Sequence, residues 1–136
     1  MKIIVCLDDA DGMLFNCRRQ SRDRAVMADI EQELGGARLY ITPFSQKLIA
    51  DSTVRYTVSE DMISIAGEDD YCFVEDISVA PFLDRAEEII IYRWNRRYPA
   101  DLYFDCDLES SGFSLVSSLD FEGVSHEKIT KQRFRK

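Results

Sequence analysis

The chain has 136 residues, of which 46% are hydrophobic and 31% are charged, and its formal net charge at pH 7 is −8. This composition excludes a disordered chain, and no apolar run approaches the roughly 20 residues that a membrane-spanning helix needs. The acidity argues against general binding to nucleic acids or anionic membranes, because a negative field repels polyanions. We expect one soluble domain over residues 1–136.

The chain begins with an apolar run, Lys2 to Leu7, whose β-branched residues are typical of a central strand that is buried on both faces. Asp8 and Asp9 end the run before a secretory apolar region could form, so we interpret it as a strand and not as a signal peptide. A cytoplasmic protein is expected. Residues 13–16, beyond a turn, are predicted to form an apolar loop.

The first helix is indicated by Val26, Ile30 and Leu34, which recur at helical spacing and form a buried stripe. Ser21 is the predicted N-cap. Asp23 then lies in the first turn, where a carboxylate stabilises the helix dipole. The glycine pair after the stripe ends the helix.

Further strands and short helices are predicted before residue 70. Residues 38–42 predict a strand that leads through Pro43 into a helix, since proline suits the first helical turn. Residues 54–58 alternate between apolar and polar, which indicates a strand with one wetter face. A helix over residues 60–66, capped by Ser59, completes this part.

The most hydrophobic part of the chain, residues 70–94, predicts a strand, a short helix and a second strand. Two apolar runs around a helical pattern belong in a parallel sheet covered on both faces, and so short a crossover makes the strands near neighbours. Ser78 is the expected N-cap, which makes Pro81 tolerable in the first turn. Glu75 and Asp76 then lie at the carboxyl ends of the strands, where open α/β sheets bind ligands; they could bind a cation or an amine, or Asp76 could cap the helix.

After residue 94 the pattern changes to strands alone, over residues 102–104, 113–116 and 129–134. The last of these alternates between apolar and basic residues, as a half-exposed antiparallel strand does. The predicted fold class is α/β: a single-domain, mainly parallel twisted sheet flanked by helices, with a C-terminal antiparallel hairpin.

Cysteine and histidine usage argues against disulfides and metal sites. The four cysteines show no C-x-x-C spacing, so free thiols in a reducing compartment are expected. Tetrahedral zinc sites use clustered cysteines and histidines, whereas His126 is the one histidine of the chain, so no metal site is expected. His126 has no partner pattern for a catalytic triad and is predicted to lie in a hairpin turn.

The order of elements and several short motifs resemble dihydrofolate reductase. IIVCLDDADGMLFN is similar to that family's first strand and the flexible loop over its substrate, and LYITPFSQKLI to its second strand, phosphate-binding turn and following helix. DYCFVEDISVAPFLDRAEEIIIYRW is similar to its cofactor-binding strand, glycine pair, helix and strand. The resemblance spans most of the chain and implies the reductase fold. It also implies that Asp23 stands for the acid that engages the pterin ring, and that Ser45 lies near the threonine that contacts cofactor phosphate.

Five residues depart from the family where its chemistry takes place. Glu75 and Asp76 replace a Gly-Gly pair that lets the backbone approach the cofactor's pyrophosphate, and two carboxylates within about 4 Å of a phosphate would each cost on the order of 1 to 4 kcal/mol. Thr42 and Pro43 stand where a Gly-Arg pair opens the second helix, and Tyr92 replaces the substrate-side threonine. We expect no NADPH binding in the family's mode and no NADPH-dependent reduction.

Arginines cluster in spite of the negative net charge. Arg18, Arg19 and Arg22 precede the first helix, and with Ser45 they are candidate anion-binding residues, because guanidinium groups and helix-start amides bind phosphate together. The alternative is a solvated face paired with nearby acids.

Three functions remain open. The first is a non-catalytic reductase-like domain that binds a small polar ligand or a protein partner. Its expected pocket residues are Met13, Phe15, Asp23, Ile41, Val74, Glu75, Asp76 and Tyr92. The second is an enzyme that acts on a pterin or nucleotide-like substrate with Asp23 as the key acid, although Asp23 could serve the helix dipole alone. The third is a weak nucleic-acid contact through the basic tail over residues 128–136. The sequence does not indicate an oligomeric state.

Overall fold

The structure, a computed structural model, describes residues 1–136. The strands are β1 Lys2–Leu7, β2 Gly12–Phe15, β3 Arg18–Arg19, β4 Leu39–Ile41, β5 Tyr56–Val58, β6 Tyr71–Phe73, β7 Glu88–Arg93, β8 Leu102–Tyr103, β9 Ser114–Phe121 and β10 Ile129–Arg135. The helices are α1 Arg24–Leu34, α2 Gln46–Ala50 and α3 Met62–Ile65, and two 3-10 helices cover Pro43–Ser45 and Ala80–Arg85.

Seven strands form one sheet in the order β5-β4-β6-β1-β7-β10-β9. Strand β10 pairs antiparallel with β7 and β9, and the other neighbours are parallel. The predicted α/β class, with a mainly parallel sheet and a C-terminal antiparallel hairpin, is confirmed. The strands of the unit over residues 70–94 are near neighbours, as predicted, but β1 lies between them and pairs with both.

The central strands of the sheet are buried on both faces, which explains why β1 is apolar from Ile3 to Leu7. Ile3 and Val5 of β1 face one core, which contains Leu83 of the second 3-10 helix. Ile4 faces the other core, together with Ile30 of α1. Because side chains alternate across a strand, a run that is apolar at every position supplies both cores at once.

A second sheet has the strand order β3-β2-β8, and the sequence did not predict it. The predicted loop around Met13 is strand β2. It turns through Asn16 and Cys17, with φ angles of 51° and 58°, into β3, so that the two residues form a tight hairpin turn of the kind that needs left-handed backbone. Strand β8 pairs with β2 and does not join the C-terminal edge of the main sheet.

The helix starts differ from the predicted ones. Asp23, and not Ser21, is the N-cap of α1; its Oδ1 accepts a hydrogen bond from the Ala25 N–H at 2.8 Å. The segment predicted as a helix after residue 77 is the 3-10 helix Ala80–Arg85, whose N-cap is Val79 and not Ser78. Helix α3 is shorter than predicted, and β9 is longer, because helix fraying and strand extension depend on packing that local sequence does not encode.

The structure contains no disulfide bond and no membrane-spanning helix. All four cysteines are free. No helix is both long and apolar enough to cross a membrane.

Candidate functional site

Glu75 lies just beyond β6, at the carboxyl ends of the parallel strands, and is only 7% exposed. Arg19 of β3 binds its carboxylate with two hydrogen bonds, from Nε to Oε2 at 2.5 Å and from Nη2 to Oε1 at 2.7 Å. The buried Ser45 donates its hydroxyl hydrogen to Oε1 at 2.7 Å. The hydrogen bond to Glu75 raises the pKa of Arg19 above its usual value. The protein thus neutralises this carboxylate with a permanently charged partner.

Asp76 makes a separate contact, in which Thr42 donates its hydroxyl hydrogen to Oδ1 at 2.8 Å. The turn after β4 is therefore tied to the turn after β6 by hydroxyl-to-carboxylate hydrogen bonds at both Asp76 and Glu75. The interpretation of Asp76 as a helix cap is wrong, because the following 3-10 helix starts after Val79 and has no side-chain cap.

Asp23 is the second buried carboxylate of this region, with 4% of its surface exposed. Its Oδ1 accepts hydrogen bonds from the N–H groups of Ala25 at 2.8 Å and Val124 at 2.9 Å, and its Oδ2 from the N–H of Ser125 and from Nδ1 of His126, both at 2.9 Å. Burial raises the pKa of Asp23, but the hydrogen bonds from Val124, His126, Ala25 and Ser125 outweigh it and hold that pKa below its usual range. Both oxygens are occupied by the protein's own donors.

His126 lies in the turn before β10 and is 4% exposed. Its ring stacks on Trp94 with the centroids 4.7 Å apart, and its Nε2 lies 2.9 Å from Ser21 Oγ and 3.2 Å from the Tyr98 hydroxyl. The ionised Asp23 favours the tautomer with the hydrogen on Nδ1, which leaves Nε2 to accept from the hydroxyl groups. His126 lies in a hairpin turn, as predicted. The sequence showed no partner pattern around it because its partners come from distant parts of the chain.

A cleft of about 760 Å³ opens beside Asp23, between α1, α2 and the turn before β10. Met27 and Leu48 contribute apolar walls, Arg22 and Arg24 positive charge, and Glu31 and Asp51 negative charge. The ion pairs of the protein involve neither of these arginines. A cleft of this volume is in the range of small-molecule sites.

A second cavity adjoins the cleft and shares Arg22, Asp23, Met27 and Leu48 with it. Its volume is only about 10 Å³, about the space of one water molecule, because the side chains around it fill the interior. Arg19, Glu75 and Trp94 are among its walls. The interior between the two buried carboxylates is closed.

No family model and no curated protein matches the chain. Solved structures do. A dihydrofolate reductase from Enterococcus faecalis, complexed with NADP(H) and RAB-propyl, matches with a TM-score of 0.68 and 8% sequence identity, over 98% of this chain and 94% of that chain. The chain has the dihydrofolate reductase-like fold. At this identity the likeness concerns the fold alone, and the resemblance noted in the sequence is confirmed at that level.

The expected pocket residues of this dihydrofolate reductase-like fold do not surround one cavity. Met13 and Val74 lie in the core on one face of the sheet, and Ile41 and Tyr92 in the core on the other. Phe15 is 45% exposed on the β2-β3 hairpin. The physical reason is that successive residues of a strand point to opposite faces, so residues at different positions along neighbouring strands can belong to different cores. Among the expected residues, Asp23 lines the cleft and Glu75 lines the small cavity.

Tyr92, at the position that the resemblance gives to a substrate-side threonine, makes an internal contact. Its hydroxyl donates to Asp29 Oδ2 of α1 at 2.5 Å, and burial raises its pKa above the usual value. The larger side chain therefore holds the helix against the sheet.

The candidate anion-binding residues are also separated. Arg19 and Ser45 are both bound to Glu75, whereas Arg18 is exposed on the hairpin and Arg22 lines the cleft. A shared phosphate site is absent because one buried carboxylate takes the place of the anion.

Most of the basic tail is strand β10, and three of its basic side chains form ion pairs within the protein. Lys131 and Arg133 form ion pairs with Glu33 of α1, and Arg133 and Arg135 with Glu88 of β7. Burial raises the pKa of Glu33, but hydrogen bonds from Arg133 and Lys131 outweigh this and lower it to about 2.

No group of three histidine, cysteine or acidic side chains is arranged to hold a metal ion.

Proposed function

We propose that this dihydrofolate reductase-like domain binds a small polar ligand in the cleft between α1 and α2, and that it does not perform NADPH-dependent reduction. The observation that supports the second part most strongly is the Arg19–Glu75 pair. It occupies the turn at which the family, by the resemblance described above, uses two glycines to bring the backbone close to the cofactor's pyrophosphate.

The energetics of this pair argue against the cofactor. A diphosphate at this turn would face the carboxylates of Glu75 and Asp76, both acceptors that repel it. Moving Arg19 towards the diphosphate would leave Glu75 buried without a cation. Because the Arg19 side chain is 23% exposed, this costs about 2 kcal/mol, below the cost of breaking a fully buried pair. Either arrangement is unfavourable, and Pro43 supplies neither a cation nor a backbone donor.

Asp23 argues against a pterin-type reaction through this acid. Four donors of the protein already occupy its two oxygens, so a ring bearing N–H groups would have to displace the turn over residues 124–126. The engaged cations of β10 likewise argue against nucleic-acid contact through the tail, because a phosphate would compete with Glu33 and Glu88.

The cleft itself supports the binding part of the proposal. It combines apolar walls at Met27 and Leu48 with two arginines that have no carboxylate partner. A guanidinium without a partner binds a carboxylate or phosphate well. A compact ligand that carries an anionic group beside an apolar portion fits this lining.

Thermal melting with NADPH tests the cofactor part. At millimolar NADPH the wild type should show no shift in melting temperature, because only a ligand that binds the folded state stabilises it. The matched comparison is the double variant Glu75→Gly, Asp76→Gly, which removes both carboxylates. A rise in its melting temperature with NADPH would show that these carboxylates exclude the cofactor. A rise in the wild type that grows with NADPH concentration would disprove the proposal.

Native mass spectrometry of the protein purified from its own cell tests the ligand part. We expect a small molecule bound to the wild type and lost in Met27→Trp, which fills the cleft. Phe15→Ala, on the exposed hairpin, should keep the ligand. A ligand that remains bound to a folded Met27→Trp variant would place the site elsewhere.

A further inference from the structure

Three side chains form a row of hydrogen bonds that the proposed ligand site does not require. Ser21 Oγ lies 2.9 Å from His126 Nε2, and His126 Nδ1 lies 2.9 Å from Asp23 Oδ2. A hydroxyl, an imidazole and a carboxylate in this order and at these distances are the arrangement by which proteins activate a serine nucleophile, and the arrangement is recognised by geometry and not by sequence order. We infer that Ser21 is the nucleophile of an acyl-transfer site that hydrolyses small carboxylic esters, with His126 as the general base and Asp23 as a positioning residue.

The carboxylate of Asp23 is fixed in position, as it must be to orient the imidazole of His126. Backbone N–H groups of Ala25, Val124 and Ser125 fix its carboxylate in place, so it can hold the imidazole in one orientation and one tautomer. It also stabilises the imidazolium that forms when His126 takes a proton. The ring of Trp94, stacked on the imidazole, keeps one face of the base away from water.

Ser21 lies beside the cleft and does not line it. It is half-buried and lines the small cavity, which shares Arg22 and Met27 with the cleft. That cavity is too small to hold an ester, so under this proposal the substrate lies in the cleft and its carbonyl reaches Ser21 past these two side chains. Arg22 follows the serine in the chain, lines both cavities and forms no ion pair. We assign to its guanidinium the stabilisation of the negative charge that develops on the carbonyl oxygen.

The reaction balances with water as the only co-substrate. Ser21 Oγ forms a bond to the acyl carbon while its proton moves to His126 Nε2. The imidazolium then protonates the departing alkoxide, which leaves as an alcohol, and an acyl-serine remains. Water attacks the acyl carbon and gives a proton to Nε2. The proton then moves from Nε2 to Ser21 Oγ as the bond between Oγ and the acyl carbon breaks, and the carboxylic acid is released.

Tyr98 provides a test that separates this role from a structural one. Its hydroxyl lies 3.2 Å from the same Nε2 and so competes with Ser21 for the base. In Tyr98→Phe the base has only Ser21 as a hydroxyl partner. We expect Ser21 to react at least as fast as in the wild type, even where removal of the hydroxyl lowers the melting temperature.

The experiment uses the full chain and a fluorophosphonate ester, which forms a serine–phosphorus bond and releases fluoride. Intact mass and peptide mapping should show one adduct, located at Ser21, in the wild type and in Tyr98→Phe. Ser21→Ala should show none. Ser118→Ala, which removes an exposed serine of β9, should be labelled like the wild type, and hydrolysis of p-nitrophenyl butyrate should follow the same order.

His126→Gln tests the base, and labelling should fall at least tenfold while the variant keeps a cooperative melting transition. If this variant does not fold, the comparison of the wild type, Ser21→Ala and Tyr98→Phe decides the question. An unlabelled Ser21 in the folded wild type would overturn the inference, and so would equal labelling in a folded His126→Gln. The experiment uses no NADPH and identifies the labelled residue itself, so its failure is distinguishable from failure of the proposed function.

Discussion

Glu75 and Asp23 are both buried carboxylates that line the same small cavity, yet the protein satisfies them in opposite ways. Glu75 is bound by a guanidinium, which keeps its charge at every accessible pH. Asp23 is bound by backbone N–H groups and by the imidazole of His126, a group that can gain or lose a proton. Both carboxylates are buried, so the difference lies in the group that binds each one: a guanidinium keeps its proton, whereas an imidazole can transfer one.

The largest effect is expected at Asp23. Asp23→Ala removes the N-cap of α1 and leaves the N–H groups of Val124 and Ser125 without acceptors, so the free energy of unfolding should fall by about 3 kcal/mol. Urea denaturation monitored by circular dichroism measures this. Asp23→Asn keeps a capping oxygen and should lose about half as much. If the alanine variant lost less than about 0.5 kcal/mol, the Asp23 region would not depend on its carboxylate.

A smaller loss is expected on the Glu75 side. Arg19→Met leaves Glu75 buried without a cation, and because the Arg19 side chain is 23% exposed we expect about 2 kcal/mol, below the cost for fully buried pairs. The same urea titration measures it.

Two control variants test the Arg19–Glu75 pair: one on the same hairpin and one that also changes Glu75. Arg18→Ala, on the exposed side, should change stability by less than about 0.5 kcal/mol. Adding Glu75→Leu to Arg19→Met should recover most of the loss, since an apolar pair needs no cation. A double variant no more stable than Arg19→Met would show that the loss comes from packing and not from the uncompensated charge.

Acid should weaken the Asp23 side of this comparison. The pKa of Asp23 is lower in the folded than in the unfolded chain, so the unfolded chain binds more protons in acid, and the stabilisation is complete above about pH 4 and is lost as the pH falls below it. Glu33, with its pKa lowered to about 2, contributes in the same direction.

The urea midpoint, measured from pH 6 down to about pH 2, reports this dependence. Asp23→Asn should flatten the slope on the acid side, and Glu33→Gln should flatten it in part. A slope for Asp23→Asn that coincides with that of the wild type would contradict the assignment.

The main sheet could be predicted from the sequence because its central strands, β1, β6 and β7, are apolar at nearly every position. A strand buried on both faces has a local signature that needs no knowledge of its neighbours. Helix α1 was equally clear from its buried stripe. The sequence does not indicate the β2-β3 hairpin, because a run of three apolar residues fits a loop or a strand and the Asn16-Cys17 turn lacks the glycine that marks most such turns.

The contacts of the site could not be predicted in the same way. Glu75 was noticed from the local pattern, but Arg19, its partner, lies 56 residues earlier in the chain. His126 and Asp23 are 103 residues apart. Side-chain pairs at such separations leave no periodic signal in one sequence, so the residue types were visible and their pairing was not.

The turn over residues 124–126 also affects how the chain folds. It supplies three of the hydrogen bonds to the N-cap of α1, although it is synthesised about a hundred residues after that helix. Contacts between such distant segments slow folding, because the intervening chain must be ordered first. During synthesis, the N-cap of α1 therefore lacks these three hydrogen bonds until the turn over residues 124–126 is available.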